Sequence, residues 1–390
     1  MADEALFQPV RWGMIGGGLD AFIGSVHRRA ATMDGELALV SRCLARDPEI
    51  AARSGAAYGL DPGRVYTSVD AMLDGEGTLP PEQRVELISI VTPNFTHHEI
   101  AKACLERGFH VLIEKPMTTT SQQAAELESL ARDRGAHCFV MYNYTGYPMV
   151  RQARDLVAAG EIGTVRKAFV EYLQGWLSRK EETSGNQQAE WRTDPARAGV
   201  GGALGDIGSH AENMLRFVTG LETESLCAEL ASFVEGRVLD DDAAVLLRMA
   251  HGARGVLTAS QVCAGEGNGL VLRIYGDRGG VRWRQEDPEA LELLSLDGAT
   301  KTIRRGGPES GPHAAQLGRV PLGHPEGFIE AFANIYRGAA ELVAAARTGR
   351  EPASFAALTP TAEHGRRGVR FIERCVESAK AGGVWTPVGE

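Results

Sequence analysis

Residues 13–30 read "GMIGGGLDAFIGSVHRRA". A short apolar run leads into the glycines, and a helix-type pattern follows them. Counted strictly, Gly16-x-Gly18-x-x-Ala21 satisfies the pattern G-x-G-x-x-G/A, with Gly17 between the first two. Glycines at these places allow a tight turn. They also let a pyrophosphate approach the backbone at a helix N-terminus. A glycine turn without a ligand is the alternative for the motif alone. Its position between a strand and a helix favours a nucleotide loop.

Outward from this loop the pattern repeats. The apolar runs "LALVSRCL", "VELISIVT", "HVLIEK" and "HCFVMY" alternate with the helical stretches "DPEIAARSGAAYG", "HHEIAKACLERG" and "SQQAAELESLARDRG". Continuous apolar strands separated by helices imply a parallel sheet covered on both faces. We therefore expect a doubly wound, Rossmann-type dinucleotide domain over residues 1–145. The texture then changes. "PMVRQARDLVAAG" predicts a helix and "GTVRKAFVEYLQGW" a strand. The polar residues 178–202 read as a long loop. A helix carrying Asp206 and His210 follows. Residues 224–304 give five to seven strand-like runs with little helix between them, hence a mostly antiparallel sheet. Two helices, near 326–349 and 359–381, close the chain. The second half, 146–390, is expected to be an α+β domain for substrate binding and assembly, with the last helices free to pack back on the first domain.

Composition narrows the class. The chain has 390 residues, 43% hydrophobic and 24% charged, which suits a two-domain globular protein. The net charge of −10 argues against nucleic acid as the main partner. No apolar run is long enough for a membrane helix, and "MADEALFQPV" lacks the apolar segment of a signal peptide. The six scattered cysteines, without Cys-x-x-Cys, read as reduced thiols. A cytoplasmic location is expected, with no membrane partner.

The end of the second strand selects the cofactor. An acid there holds ribose hydroxyls, whereas an Arg accommodates a 2′-phosphate. In "LARDPE", Ala45 stands where the acid would be, with Arg46 next, and Asp47-Pro48 reads as a helix N-cap and first turn. The cofactor is expected to be NADP or NAD, with NADP favoured.

"SIVTPNFTHHEIAKACLERGFHVLIEKPMT" holds Thr92-Pro93-Asn94, then His97, then Glu114-Lys115-Pro116. Together with the glycine loop and "GDIGSH", the chain resembles the Gfo/Idh/MocA oxidoreductases, which include glucose-fructose oxidoreductase and inositol dehydrogenase. The resemblance runs from the first strand to the last helices. In one respect the chain departs from the family. The family places the last loop glycine three residues before a histidine, which here gives Gly24 and His27 with "LDAFI" between the glycines. Ala21 and Gly24 are both candidates for the third position. The resemblance implies a C-terminal domain with a large open sheet that packs against another subunit, as a homodimer or homotetramer. It further implies cofactor contacts from Thr92, Pro93, Asn94, His97, Glu114 and Lys115.

Asp206 and His210, four residues apart, share a helical face. They could be metal ligands, an acid/base pair or an ion pair. A zinc site would want a second ligand cluster, which the sequence does not offer, so no metal is expected. The resemblance points to catalysis beside Lys115. His210 would be the general base, Lys115 the partner of the reacting oxygen, and Asp206 an orienting group. In some relatives the lysine is itself taken as the base. Asn143, Tyr144, Trp176, Trp191 and Arg192 are candidates for a sugar pocket, where rings meet CH faces and polar groups meet hydroxyls. Core packing is the alternative for each aromatic. The expected activity is NAD(P)-dependent hydride transfer with a secondary alcohol or ketone of a sugar, glycoside or cyclitol. Two other classes compete. A glycosidase working by transient oxidation and elimination would hydrolyse without net cofactor turnover. A dinucleotide-sensing regulator would bind without turnover.

Overall fold

The computed structural model describes residues 8–18, 21–43 and 47–389. It divides into two compact units. One comprises the chain up to Thr118, then Gln122–Asn143 and Phe332–Gly365. The other comprises Thr119–Ser121, Tyr144–Ala331 and Arg366–Glu390.

In the first unit a six-stranded parallel sheet has the order β3-β2-β1-β4-β5-β6. The strands are β1 (Val10–Ile15), β2 (Leu37–Cys43), β3 (Val65–Tyr66), β4 (Leu87–Ile90), β5 (His110–Ile113) and β6 (Cys138–Val140). The connecting helices are α1 (Phe22–Thr32), α2 (Pro48–Ala57), α3 (Val69–Gly77), α4 (His97–Glu106) and α5 (Ser121–Asp133). Leu87, Ile88, Ile90, Val111 and Ile113 have no exposed surface, as expected for strands covered on both faces. The order reverses between β1 and β4, and ligands of such sheets bind outside the strand ends at that point. The β6 edge is closed by the chain near residue 360: Val140 N–H donates to Pro360 O at 3.0 Å.

The second unit is built on a nine-stranded sheet, order β14-β13-β12-β11-β7-β10-β9-β8-β15. Its strands are β7 (Val165–Leu173), β8 (Thr223–Ala231), β9 (Asp242–Met249), β10 (Arg254–Ser260), β11 (Gly269–Gly276), β12 (Gly279–Arg284), β13 (Ala290–Ser295), β14 (Thr300–Arg304) and β15 (Thr386–Pro387). The pairing is antiparallel except between β7 and β10. Along β9, Ala243, Val245, Leu247 and Met249 are buried while Ala244, Leu246 and Arg248 are exposed. One face is therefore covered and the other open. Helices α6 (Pro148–Ala158) and α9 (Ser209–Thr219) pack on the covered face.

The polar stretch 178–202 is more structured than a loop. It contains helices α7 (Gln187–Arg192) and α8 (Pro195–Ala198). Asn186 caps the first through Gln188 N–H at 3.0 Å, and Asp194 caps the second. Three further helices complete the chain: α10 (Pro312–Ala315), α11 (Phe328–Thr348) and α12 (Ala362–Lys380). From Phe332 onward, α11 belongs to the first unit. Tyr336 meets Trp12 edge-on at 5.6 Å, and Phe332 meets His27 at 5.3 Å. Among the described residues, no helix is long and apolar enough to cross a membrane.

Candidate active site

The first unit builds a cradle at the ends of β1, β4 and β5. Gly16 and Gly17 have φ of 83° and 71°, a left-handed conformation that favours glycine. A Cβ on Gly16 would lie 2.7 Å from Thr92 Cγ2, so the first loop rests against the loop after β4. A Cβ on Gly24 would lie 2.4 Å from Gly17 Cα. The close helix–loop approach thus occurs at Gly24. Ala21 instead occupies the N-cap of α1, with its N–H donated to Gly18 O at 2.9 Å. Ala21 offers no capping side chain, and the first turn of α1 carries no acid. The first backbone N–H groups of α1 and the tight glycine turn therefore fit an anionic pyrophosphate. Ala45 and Arg46 lie outside the described residues. Asp47 caps α2 through Glu49 and Ile50 N–H, at 2.9 and 3.0 Å.

The loops after β4 and β5 are tied together by His97. Its Nε2 is 2.7 Å from Thr92 O and its Nδ1 is 3.0 Å from Pro116 O. Burial holds this imidazole below its ordinary range, against the pull of the two carbonyls. Both ring nitrogens face backbone carbonyls, of which a neutral ring donates to one, so His97 packs between the loops that carry Thr92, Pro93, Asn94 and Lys115. Asn94 is buried and opens the short turn before α4. Glu114 is buried beside His27, with Oε1 2.7 Å from His27 Nε2. Burial alone would raise this carboxyl. The His27 contact, the Lys115 charge and the Lys115 N–H outweigh it and hold the carboxyl below the usual range. Lys115 follows, half-buried, before Pro116. Asn143 is buried at the end of the β6 segment of this unit.

The second unit gathers the other residues. Leu204–Gly208 is a single π turn running into α9. Such turns recur at functional sites. Asp240 anchors its start by accepting Gly202 N–H and Leu204 N–H, both at 2.7 Å. A Cβ on Gly202 would lie 2.1 Å from Asp240 O, which explains the second glycine of the pair. Asp206 then accepts Arg192 Nε–H at 3.1 Å and Gln261 Nε2–H at 2.9 Å. Gln174 continues the line: its Oε1 accepts Trp176 Nε1–H at 3.0 Å and Gln261 Nε2–H at 3.2 Å. Gln174 Nε2–H donates to Asn268 Oδ1 at 2.9 Å, and the Tyr172 hydroxyl donates to the same oxygen at 2.6 Å. The Tyr144 and Tyr172 hydroxyls are 2.5 Å apart. His210 is buried with the Tyr144 ring edge-on at 4.7 Å. Burial pushes the Tyr172 hydroxyl well up, so it stays protonated as a donor. Trp191 carries the Arg192 guanidinium on its face at 4.2 Å. His324 is exposed in a turn before α11. Among the described residues, no cluster of three or more His, Cys, Asp or Glu is placed to hold a metal.

Comparison with known proteins bears on both units. Residues 10–142 match a family described as oxidoreductases with an NAD-binding Rossmann fold. Residues 150–282 match the Gfo/Idh/MocA C-terminal domain. The chain is 33% identical over 386 residues to the uncharacterized oxidoreductase YfiI of Bacillus subtilis, covering 98% of each. The chain belongs to the Gfo/Idh/MocA oxidoreductase family. An inositol dehydrogenase homologue from Azotobacter vinelandii, solved with NAD+, has a TM-score of 0.92 at 34% identity, covering 98% of both chains. Its structure with NADH and myo-inositol gives a TM-score of 0.89 at 33% identity, again over 98% of both chains. Levoglucosan dehydrogenase of Pseudarthrobacter phenanthrenivorans is 27% identical over 316 residues, 73% of this chain and 76% of its own.

Membership of the Gfo/Idh/MocA family agrees with the motifs at Thr92, Glu114 and Asp206. Sequence reasoning missed Tyr172, Asn268 and Gln261 in the second unit, and the partners of His27 in the first. Tyr172 sits at a buried position of the alternating strand β7, the one signal that could have found it. Gln261 and Asn268 lie just outside strands and carry no local signature.

Proposed function

We propose that this Gfo/Idh/MocA protein is an NAD(P)-dependent dehydrogenase. It passes hydride between a nicotinamide and a secondary alcohol or ketone of a sugar, glycoside or cyclitol. The observation that carries the reading is the polar line through Asp206. Its carboxylate is held by Arg192 and Gln261, and the line continues through Gln174 to Trp176, Asn268 and Tyr172, beside His210. Amides and hydroxyls of this kind suit polyol edges, and Tyr144, Trp176 and Trp191 suit CH faces. The names of the Azotobacter and Pseudarthrobacter relatives support the substrate class.

The nicotinamide, when bound, supplies the hydride acceptor. Gly16, Gly17, Gly18 and Gly24, with the start of α1, would hold its pyrophosphate. Thr92, Pro93, Asn94 and Glu114 would line the cofactor's path, with His97 as the brace. Lys115, Asp206 and His210 act on one substrate in this reading, supported by the match of both motifs to one family. His210, as a neutral imidazole, takes the hydroxyl proton during oxidation and returns it during reduction. Lys115 stabilises charge developing on that oxygen. Asp206 orients the hydroxyl, and Asn143 and Arg192 contact the ring. The Ala45-Arg46 pair favours NADP(H) binding at least as tight as that of NAD(H). The protein works in the cytoplasm as a homodimer or homotetramer through the open face of its nine-stranded sheet.

A screen of cyclitols, sugars, glycosides and anhydrosugars with both oxidised cofactors, read at the nicotinamide absorbance, tests the reading. At least one polyol reduces a cofactor. Hydrolysis without net reduction would favour the glycosidase class. Tight dinucleotide binding with no turnover on any polyol would favour a sensor.

A further inference from the structure

A line of buried polar side chains runs through the first unit and ends on the backbone of Lys115. The Trp12 indole N–H donates to Ser89 Oγ at 2.8 Å. Ser89 Oγ is 2.9 Å from the Tyr336 hydroxyl, which is 2.6 Å from His27 Nδ1. His27 Nε2 is 2.7 Å from Glu114 Oε1, and Lys115 N–H donates to Glu114 Oε2 at 3.0 Å. Trp12, Ser89, Tyr336 and His27 have no exposed surface.

Elementary donor rules give the line a direction. At one end the indole N–H can only donate, and at the other the Glu114 carboxylate can only accept. A neutral His27 therefore presents Nε2–H to Glu114 and a bare Nδ1 to Tyr336, and Ser89 Oγ, which takes the indole N–H, turns its own proton to the Tyr336 oxygen. Tyr336 then gives its proton to His27 Nδ1. His27 is left with its proton on Nε2, aimed at the Glu114 carboxylate. Each proton points toward Glu114. One imidazole tautomer, one carboxylate orientation and one backbone N–H are set together. Buried polar groups are costly unless each is satisfied, and in this line each has its partner. On the far side of Lys115, the buried His97 ring packs against Pro116, with Nδ1 3.0 Å from its carbonyl oxygen. The lysine is therefore held before and after its own position.

We infer that Tyr336 and His27 are positioning residues that act through Glu114 to fix where Lys115 leaves β5. The inference rests on the role proposed above for Lys115. Tyr336→Phe removes one hydroxyl and keeps the ring against Trp12 and His27. It lowers kcat about tenfold and leaves KM and dinucleotide Kd within about twofold, less than the ~10²-fold that a 1 Å misplacement costs. In a Glu114→Gln background the same substitution has no further effect, because the group it acts through is already changed. Equal losses in both backgrounds, or a lower Tm with unchanged kcat, overturn the inference. A second readout needs no turnover. Nitrogen-15 shifts of His27, assigned with His27→Gln, report a bare Nδ1 and a protonated Nε2 in the wild type, and Tyr336→Phe disturbs them. A protonated Nδ1 in the wild type overturns the proton direction and the inference with it. If no polyol reduces either cofactor, the dehydrogenase reading fails, and the nitrogen shifts alone decide the line.

Discussion

His210 is a buried imidazole beside two tyrosine rings, two residues past the π turn that carries Asp206. Replacing it by Ala should leave dinucleotide affinity unchanged and lower kcat by ~10²–10⁴, the usual worth of a general base. Oxidation by the wild type should rise with pH as the imidazole loses its proton, and that limb should vanish in the variant. Survival of the limb in His210→Ala, with its loss in Lys115→Ala, would move the base to the lysine. Glu114 allows a separate test by stability. Its folded carboxyl lies below the usual range. Its stabilising contribution is therefore present above the unfolded value, about 4.3, and is lost as pH falls through the folded one. Glu114→Gln should flatten that part of the acid limb in a plot of Tm against pH. An unchanged acid limb would show that the His27 contact contributes nothing to stability.

At the scale of elements, the glycine loop and α1 carry the sharpest steric demand. Gly24→Ala improves intrinsic helix propensity by about 1 kcal/mol. It also brings a Cβ to 2.4 Å from Gly17 Cα, a contact with backbone that cannot turn aside. Overpacking of this kind costs about 1–3 kcal/mol, so net destabilisation and weaker dinucleotide binding are expected. Thermal melts and cofactor titration check it, and a more stable variant with intact binding would contradict it. The parallel sheet was legible because its central strands are continuous apolar runs. β3 was not: Val65–Tyr66 is two residues set between turns, too short for any period. α7 hid in a polar stretch because its sequence, QQAEWR, offers no apolar stripe, only the small Ala189 being fully buried among the residues whose burial is described. The π turn left no trace beyond its glycines. The parallel pairing of β7 with β10 joins strands about eighty residues apart, which local pattern cannot reach. The same limit hid the His27 line, whose Tyr336 contact spans 309 residues. Lys115, Asp206 and His210 are proposed from family motifs that the sequence itself displays, whereas Tyr172, Gln261 and Asn268 lie together only once the sheet has formed.

At the scale of the whole molecule, the open face of the nine-stranded sheet is the proposed assembly surface. Leu246 is 49% exposed on that face. Leu246→Glu should reduce the mass measured by light scattering without lowering the melting temperature of the separated subunit by more than about 1 kcal/mol in equivalent stability. A wild type that is monomeric at every concentration would contradict the assembly. Cofactor choice is a second test at this scale. NADP(H) should bind at least as tightly as NAD(H), and Arg46→Ala should remove the advantage. Tighter NAD(H) binding, unaffected by Arg46→Ala, would reverse the assignment. The central proposal is hydride transfer from a polyol carbon, with His210 taking the proton. It is tested most directly by following deuterium from a carbon-deuterated polyol into the nicotinamide, in the wild type and in His210→Ala. The account predicts that the wild-type reduced cofactor carries the deuterium, and that the variant binds cofactor normally but transfers the label ~10²–10⁴ times more slowly. Label that never reaches the nicotinamide, or a variant that transfers it at the wild-type rate, would contradict it.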